Sequence, residues 1–433
     1  MTSAMPVRRS TALFTDHYEL TMLQAALADG TAGRQCTFEA FTRRLPDGRR
    51  YGVVAGTARL IDAVTNFVFT DEELTRLEPV LDARTLTYLS EYRFDGDIDG
   101  YPEGELFFPG SPILTVRGSF GSAGILETLI LSILNHDCAI AAAAARMVSA
   151  ADGRPLIEMG SRRTHEESAV AAARAAYLAG FSSTSNLEAG RRFGIPTGGT
   201  AAHSFTLVHD TEAEAFAAQI DSLGVGTTLL VDTYDITNGI RTAIEVAGPG
   251  LGAVRIDSGD LGVLTRAARR QLDGLGATGT KIVLSGDLDE YAIAALRAEP
   301  VDIYGVGTSL VTGSGAPTAS LVYKLVEVDG RPVAKRSENK ASHGGRKSAI
   351  RRYKATGTAT EEIIFVADGT APQAQENDRV IPTPLLREGR PVADLPDLAA
   401  SRQHLAEALV TLPWSGLKLS RGEPAIPVTI LEP

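Results

Sequence analysis

AVRIDSGDLGVLTRAARRQLDGL, residues 253–275, is the stretch that decides the fold. Its opening residues form a short apolar run typical of a buried strand, and the amphipathic segment from residue 260 onward predicts a helix. Asp257, Ser258 and Gly259 stand between the two, so polar and glycine residues follow directly where the strand ends. The stretch therefore predicts one β-α unit.

Six further short apolar runs recur between residues 155 and 308, most of them separated by amphipathic helices. They are PLIEM (155–159), GFSST (180–184), GTAAHSF (199–205), TTLLVDT (227–233), KIVLSGD (281–287) and DIYGVGT (302–308). Strands that alternate with helices indicate a parallel sheet, either a barrel or a doubly wound sheet. Nearly every run ends in polar or glycine residues, and barrel enzymes gather such residues from several strand ends, whereas an open sheet concentrates them at one switch point. We predict an irregular β/α barrel.

The flanking segments predict a second, β-rich α+β domain. Residues 15–30 read as a helix that Thr15 or Asp16 caps and Gly30 ends. Hairpins are expected at 37–56, around a Pro-Asp-Gly turn, and at 321–339, and a surface helix is expected at 396–413. The predicted organisation is an N-terminal part at 1–120, a barrel with the active site at 121–318, and a C-terminal part at 319–433 that completes the N-terminal domain. The basic stretch 340–357 is either a solvated face or a phosphate contact.

Composition narrows the class of protein. The 433 residues carry a net charge of −11, from 42 basic and 53 acidic residues, which argues against nucleic acid as a partner. The two cysteines match neither a metal site nor a disulfide framework, as expected in a reducing cytoplasm. The most apolar stretch, 120–151, is interrupted by charged residues and predicts a buried core helix rather than a membrane span.

The strand ends carry the chemistry. RIDSGDL (255–261) offers an arginine fork for phosphate oxygens and carboxylates for ribose hydroxyls or magnesium. LSGDLDE (284–290) repeats the pattern one unit later, YGVGTSLVTG (304–313) supplies a glycine-rich cup, and GSRRTHEES (160–168) supplies adjacent arginines. A competing reading is that the Ser and Asp residues only cap the following helices. Together these features predict a site for a phosphorylated sugar with a diphosphate leaving group.

Two enzyme classes fit less well. The sequence has no Gly-x-Ser-x-Gly elbow at a strand-to-helix turn, which counts against a serine hydrolase. None of the seven predicted strands ends in a lysine, which counts against a sugar-phosphate aldolase or isomerase.

One histidine needs a separate explanation. IPTGGTAAHSFTLVH (195–209) places His203 just inside an apolar, strand-like run, beside Thr200 and Ser204. Taken alone, the ring is either a buried, hydrogen-bonded core histidine or a phosphate-handling group at the mouth of the barrel.

Several of these motifs, in this order, resemble the nicotinate phosphoribosyltransferase family. The motifs are TDHYELTM (15–22), GSRRTHEES, GFSSTSN (180–186), GTAAHSF, VDTYDI (231–236), RIDSGDL, LSGDLDE and YGVGTSL. The resemblance implies a β-rich domain split between the chain ends, an irregular α/β barrel, and a homodimer whose active sites are shared between subunits. It implies an ATP-coupled enzyme, classed as a ligase, that makes nicotinate mononucleotide and pyrophosphate from nicotinate and phosphoribosyl pyrophosphate, the first step of NAD salvage from nicotinate.

The resemblance also assigns roles to individual residues. It identifies His203 as a transient phosphohistidine that ATP forms, and Asp257 as a catalytic carboxylate. It places Thr200 at the pyridine carboxylate and ring, with Tyr18 reaching in from the partner subunit. The remaining substrate-binding residues that it implies are Ser185, Arg162, Arg255, Asp232, Gly307 and Thr308.

Three further expectations accompany the resemblance. Magnesium accompanies the pyrophosphate, with unknown protein ligands, and ATP is a co-substrate. An aspartate at position 185 would accept from a nicotinamide NH₂ and repel nicotinate, so Ser185 favours the acid. Met159 stands where relatives often have an aromatic residue that stacks on the pyridine ring, and either Arg162 or Arg163 contacts substrate.

The alternatives are a nicotinamide or quinolinate phosphoribosyltransferase on the same fold, or a non-catalytic ligand-binding paralogue. The expected location is the cytoplasm, without a nucleic-acid or membrane partner.

Overall fold

The computed structural model describes residues 9–335 and 343–431. It is a mixed α/β structure with two compact units. One unit combines Met1–Ala139 with Thr318–Pro433, and the other is Ile140–Pro317. The first unit is therefore assembled from two separate segments of the chain, and the second from one continuous segment.

The strands are β1 (Gln35–Thr42), β2 (Gly52–Val53), β3 (Asp97–Gly100), β4 (Leu106–Phe107), β5 (Leu114–Ser119), β6 (Leu156–Glu158), β7 (Ser183–Thr184), β8 (Thr228–Leu230), β9 (Ala253–Ile256), β10 (Lys281–Leu284), β11 (Ile303–Val306), β12 (Leu321–Val328), β13 (Arg331–Pro332), β14 (Lys347–Tyr353), β15 (Ala359–Val366), β16 (Arg379–Val380), β17 (Thr383–Arg387), β18 (Arg390–Pro391) and β19 (Val428–Ile430).

The α-helices are α1 (His17–Asp29), α2 (Thr57–Thr65), α3 (Asp71–Leu77), α4 (Ala83–Glu91), α5 (Phe120–Gly124), α6 (Glu127–Ala151), α7 (Glu166–Leu178), α8 (Leu187–Phe193), α9 (His203–Leu207), α10 (Glu212–Leu223), α11 (Ile236–Ala247), α12 (Leu261–Gly274), α13 (Glu290–Ala295), α14 (Thr308–Val311) and α15 (Leu398–Val410).

The Ile140–Pro317 unit is built on a six-stranded parallel sheet in the order β7-β6-β11-β10-β9-β8. The sheet curls into a half-barrel, and each of its strands is followed along the chain by a helix. Its strands are short and almost entirely apolar on the buried side, as in β10 and β11. The prediction of an α/β fold with an irregular barrel is confirmed, and all carboxyl ends of the strands face the same edge.

One predicted strand of this unit is wrong. GTAAHSF (199–205) forms no strand, and His203 instead begins the short helix α9. Gly198 and Gly199 weaken any strand here, because glycine pays a large entropic cost in extended structure and packs no side chain. The nearest strand-like pairing is an isolated parallel bridge between Thr184 and Thr197, which precedes the segment.

Helix capping explains where the helices that follow the parallel strands begin. The side chain of Asp260 accepts a hydrogen bond from Val263 N–H at the start of α12, and Asp289 accepts from Tyr291 and Ala292 at the start of α13. The helix-capping reading is therefore correct for Asp260. It does not apply to Asp257, which precedes the cap.

The unit formed by both chain ends contains a seven-stranded antiparallel sheet, ordered β13-β12-β1-β5-β3-β17-β18. Strand β1 is an interior strand, with β12 on one side and β5 on the other. Phe38 of β1 stacks on Tyr323 of β12 with ring centroids 4.9 Å apart, so residues nearly 300 positions apart share one core.

Local hairpin signals in this unit give a mixed outcome. The Pro-Asp-Gly turn is present, since Arg49 N–H donates to Pro46 O. The predicted 37–56 hairpin is wrong, because β1 pairs with β5 and β12, whereas β2 pairs with β4. The second predicted hairpin is present as β12 and β13, with residues 336–339 of that segment outside the described residues. The predicted helices α1 and α15 are confirmed.

The basic stretch 340–357 lies in β14 and the residues before it, with 340–342 outside the described residues. Lys347 pairs with the buried Glu39 at 2.8 Å, and Arg346 pairs with Asp368 at 2.7 Å. Arg351 is buried between Glu105 and Glu362. These cations are neutralised inside their own unit, which favours a structural role for the stretch.

Within the described part of the chain, α6 is the one helix long and apolar enough to cross a membrane by length and composition. In its most apolar 18-residue window, 72% of the residues are buried inside the protein. This is the pattern of a core helix, as the sequence predicts.

Candidate active site

A cavity of about 400 Å³ opens at the carboxyl ends of the parallel strands. All of its walls belong to the Ile140–Pro317 unit, and they come from the ends of five strands and from the segment before α9. The lining residues are Met159, Ser161, Arg162, Arg163, Ser185, Gly198, Gly199, Thr200, Ala201, Ala202, Arg255, Asp257, Ser285, Gly286, Asp287, Gly305, Gly307 and Thr308. The cavity therefore has the position that α/β enzymes use for ligands.

Arg255 of β9 projects from the strand end into this cavity. Its Nη1 donates a hydrogen bond to Thr200 Oγ1, and its Nε is buried without a hydrogen-bond partner among the described residues. Burial lowers the pKa of Arg255, which Asp257 and Asp232 oppose through their negative charges. A guanidinium group with an unused buried donor is suited to bind an anion.

Two aspartates organise the loop after β9. Asp232 Oδ2 accepts from the backbone N–H of Asp257 at 2.8 Å and from Ser258 Oγ at 3.0 Å. Asp257 Oδ1 in turn accepts from Ser285 Oγ at 2.5 Å. The ends of β8, β9 and β10 are thus tied together by side-chain hydrogen bonds.

His203 lies at the first turn of α9, beside this aspartate network. Its Nδ1 is 3.2 Å from Thr233 Oγ1, and its Nε2 is 4.0 Å from Asp232 Oδ1. That carboxylate oxygen is buried and has no hydrogen-bond partner among the described residues. The His203 side chain is 42% exposed, whereas that of Asp232 is 1% exposed. The ring is therefore accessible to a phosphate donor and backed by a buried negative charge, which is not the environment of a core histidine.

Glycines shape the floor of the cavity. A Cβ at Gly305 would lie 2.7 Å from Met159 Sδ, so a larger residue here would displace the Met159 side chain. A Cβ at Gly286 would lie 2.4 Å from the backbone oxygen of Asp257. Gly305 of the predicted glycine-rich cup and Gly286 of the LSGDLDE motif therefore serve close packing between neighbouring strand ends.

The structure brings most of the predicted site residues together. Arg162, Ser185, Thr200, Arg255, Asp257, Gly307 and Thr308 line the cavity, and His203 and Asp232 lie beside it. Arg162 and Arg163 both line the cavity and both are exposed, so the geometry does not choose between them.

Tyr18 belongs to the other unit, on α1, and is exposed. Burial of its hydroxyl and the negative charges of Glu127 and Glu19 raise the pKa of Tyr18 above its ordinary value. Its role at a partner subunit's site stays a prediction.

Two residues of this region were not assigned by the sequence analysis. Asp287 lines the cavity. Its φ is positive, at 39°, a conformation that aspartate tolerates better than most residues. The sequence feature that could have pointed to Asp287 is the repeated Ser-Gly-Asp motif. Glu158 is fully buried at the end of β6, and its signal was a lone acid in an apolar run.

Fold and cavity together define a β/α protein with an arginine- and glycine-lined pocket at its strand ends and an accessible histidine beside it. The sequence model of the nicotinate phosphoribosyltransferase (NAPRTase) N-terminal domain matches residues 13–135. Nicotinate phosphoribosyltransferase pncB1 of Mycobacterium tuberculosis is 65% identical over 423 residues, which cover 96% of this chain and 94% of that protein. Nicotinate phosphoribosyltransferase of Bacillus subtilis is 39% identical over 359 residues, which cover 79% and 73% of the two chains.

A solved structure agrees with these sequence relatives. The crystal structure of human nicotinic acid phosphoribosyltransferase matches with a TM-score of 0.82 at 26% identity, covering 96% of this chain and 97% of that one. The chain belongs to the nicotinate phosphoribosyltransferase family.

Proposed function

We propose that this chain transfers the phosphoribosyl group of phosphoribosyl pyrophosphate to nicotinate, giving nicotinate mononucleotide and pyrophosphate, with ATP hydrolysis coupled through His203. The observation that carries the proposal is the strand-end cavity, which Arg255 and Thr200 line, with His203 and the buried carboxylate of Asp232 beside it. The names of the relatives support the choice of substrates.

In the proposed transfer, the pyridine nitrogen donates its lone pair to the anomeric carbon of the ribose. The bond from that carbon to the pyrophosphate oxygen breaks, and the electron pair leaves with pyrophosphate. Negative charge grows on the leaving group, so Arg255 stabilises the transition state more than the ground state. Asp257, held by Ser285 and by the backbone contact to Asp232, is placed to orient the ribose hydroxyls.

In the proposed coupling step, an imidazole nitrogen of His203 attacks the γ-phosphorus of ATP, and ADP leaves. The imidazole becomes positively charged as its bond to phosphorus forms, and the buried carboxylate of Asp232 stabilises that charge. Hydrolysis of the phosphohistidine after transfer returns the free histidine and drives the reaction towards nucleotide.

The donor set fits magnesium bound together with pyrophosphate. Among the residues that the structure describes, no group of three His, Cys, Asp or Glu side chains could hold a metal ion alone. Asp257 and Asp287 line the cavity and supply the oxygen ligands that magnesium prefers. When bound, magnesium would neutralise charge on the leaving pyrophosphate, with most of its ligands coming from phosphate oxygens and water.

Ser185 supports nicotinate as the base. Its backbone N–H donates to Glu158 O at 2.8 Å, which fixes the residue at the end of β7, and it lines the cavity. A hydroxyl tolerates a substrate carboxylate, whereas an aspartate here would repel it.

We further propose that the enzyme is a cytoplasmic homodimer with shared sites. Tyr18 and Met22 are exposed one turn apart on α1, and Phe14 is exposed just before that helix, so this region offers apolar surface suited to a second copy. Both cysteines are free and buried, which suits a reducing compartment. Sedimentation velocity tests the dimer. Mixing Tyr18→Ala chains with His203→Ala chains should restore ATP-coupled transfer only if the sites are shared.

The deciding experiment offers nicotinate, nicotinamide and quinolinate in parallel to the purified protein, with phosphoribosyl pyrophosphate and magnesium, with and without ATP. Mononucleotide from nicotinate alone, accelerated by ATP, is the expected result. A product from nicotinamide, or from quinolinate with release of CO₂, would replace the substrate. Binding without pyrophosphate release would indicate a non-catalytic paralogue.

A further inference from the structure

Glu158 is a buried acid that none of the steps above uses. It ends β6, its side chain is 0% exposed, and it lies directly before the cavity residues Met159 to Arg163. Among the described residues no Lys, Arg or His forms an ion pair with it. A carboxylate buried without a cation is costly, so its position calls for an explanation.

Both carboxylate oxygens are engaged, and they reach two neighbouring strand ends. Oε1 accepts from Gly160 N–H, two residues before Arg162, and Oε2 accepts from the hydroxyl of Thr184, which directly precedes Ser185. Thr184 Oγ1 also accepts from Asn186 N–H at 2.9 Å, which leaves its own proton to be donated to Glu158.

Asn186 closes the network. Its Nδ2 donates to Ser161 Oγ at 3.0 Å, and its Oδ1 accepts from Ala189 N–H at 2.9 Å as the cap of α8. The hydrogen bonds thus run from Glu158 through Thr184 and Asn186 to Ser161, and return along the chain to Gly160. Ser185 lies between Thr184 and Asn186, two members of this network, and it is exposed and lines the cavity.

We propose that Glu158 is a positioning residue that sets the place of Ser185 and so the preference for nicotinate over nicotinamide. This inference rests on the proposed function. The physical reason is that the ladder between β6 and β7 is short: β7 has two residues, Ser183 and Thr184, and one backbone bond flanks them on each side, from Ser182 N–H to Leu156 O and from Ser185 N–H to Glu158 O. The Glu158 carboxylate adds a side-chain cross-link to this short backbone pairing.

Burial raises the pKa of Glu158, while the bonds from Thr184 and Gly160 lower it. The Glu158 side chain can accept from a backbone N–H and a hydroxyl without carrying a net charge. An ion pair, in contrast, would require that charge. We therefore expect Glu158→Gln to keep most of the function, with its Oε1 accepting from Gly160 and its amide donating to Thr184. Glu158→Ala removes both contacts.

The test compares steady-state kinetics of Glu158→Ala and Glu158→Gln with wild type, using nicotinate and nicotinamide as bases. For Glu158→Ala we expect KM for nicotinate to rise about tenfold and the nicotinate-to-nicotinamide ratio of kcat/KM to fall by a similar factor, with kcat changed less. Glu158→Gln should have a nicotinate KM and a base preference close to those of wild type. A lower melting temperature with unchanged KM and unchanged base preference would show that Glu158 is merely structural and would overturn the proposal.

A second pair of variants keeps the test decisive if Glu158→Ala does not fold. Thr184→Val removes the hydroxyl while keeping the shape, and Thr184→Ser keeps the hydroxyl. Only Thr184→Val should raise the nicotinate KM, and equal KM values for the two would refute the proposal. Thr265→Val is the matched control, since Thr265 is equally buried in the same unit and bonds only to Leu261 O within α12. Wild-type protein without transferase activity would refute the proposed function itself.

Discussion

Replacing Asp232 by Asn isolates the electrostatic part of the proposed coupling. The amide oxygen of Asn can still accept from Asp257 N–H and Ser258 Oγ, the two contacts that fix the loop. What disappears is the negative charge 4.0 Å from His203 Nε2. The substitution therefore changes charge at nearly constant geometry.

The size of the effect follows from Coulomb's law. Two unit charges about 4 Å apart interact by about 1 kcal/mol in bulk water and about 4 kcal/mol at the effective dielectric constant of a protein surface. Asp232 is almost fully buried while His203 is 42% exposed, so solvent screens part of the interaction. An intermediate value of about 2 kcal/mol corresponds to a loss of roughly thirtyfold in the rate of phosphohistidine formation.

The assay follows acid-labile protein phosphate and ADP release after mixing with ATP, beside ATP-independent transfer. We expect Asp232→Asn to slow both phosphohistidine formation and ADP release about thirtyfold. ATP-independent transfer should stay within a fewfold of the wild-type rate. Asp235→Asn is the control, because Asp235 lies three residues away and only caps α11. Phosphorylation at the wild-type rate, or an equal loss in ATP-independent transfer, would refute the reasoning.

Three further predictions concern the histidine, the base and the stability of the protein. His203→Ala should abolish ATP hydrolysis while slow ATP-independent transfer survives, and retained coupling in an ADP-release assay would exclude the phosphohistidine. Ser185→Asp should lower kcat/KM for nicotinate at least tenfold by charge repulsion and improve the relative use of nicotinamide; an unchanged ratio would argue that residue 185 does not face the base. Burial alone would raise the pKa of Glu105, but the His404 hydrogen bond and the charges of Arg351 and Arg379 outweigh it and lower the pKa from 4.5 to about 2. Because the pKa of Glu105 is depressed in the folded state, its ionised carboxylate stabilises the protein above pH 4.5. This contribution to the free energy of unfolding, about 3 kcal/mol, is lost as the pH falls from 4.5 towards 2. Urea unfolding of wild type and Glu105→Gln should therefore converge at low pH, and parallel stability curves would contradict the assignment.

Much of the parallel unit could be predicted from sequence, because its signals are local. Six of the seven apolar runs are strands, and each carries its polar residues at the carboxyl end, where neighbouring parallel strands bring them together. The prediction of a strand at 199–205 was wrong, although the run is apolar. The adjacent glycines disfavour a strand, and the segment begins helix α9 at His203 instead.

The antiparallel unit was harder, because its pairings are distant in sequence. A Pro-Asp-Gly turn between two apolar runs is a good hairpin signal, yet β1 finds better partners in β5 and β12. Glu158 was missed for a different reason. A single acid in an apolar strand gives no sign of which hydroxyl or N–H satisfies it until the neighbouring strand end is known.

The position of β1 between β5 and β12 also affects synthesis on the ribosome. One edge of β1 can pair with β5 early, but the other must wait for β12, which begins 279 residues after Thr42 at Leu321. At ordinary elongation speeds of 5–20 residues per second that wait lasts roughly 15 to 60 s. During it the nascent chain carries an unpaired strand edge, the surface that templates aggregation, while the Ile140–Pro317 unit emerges and can fold. Chains released before β12 should therefore be selectively insoluble, and chaperone demand should be concentrated in the middle of translation.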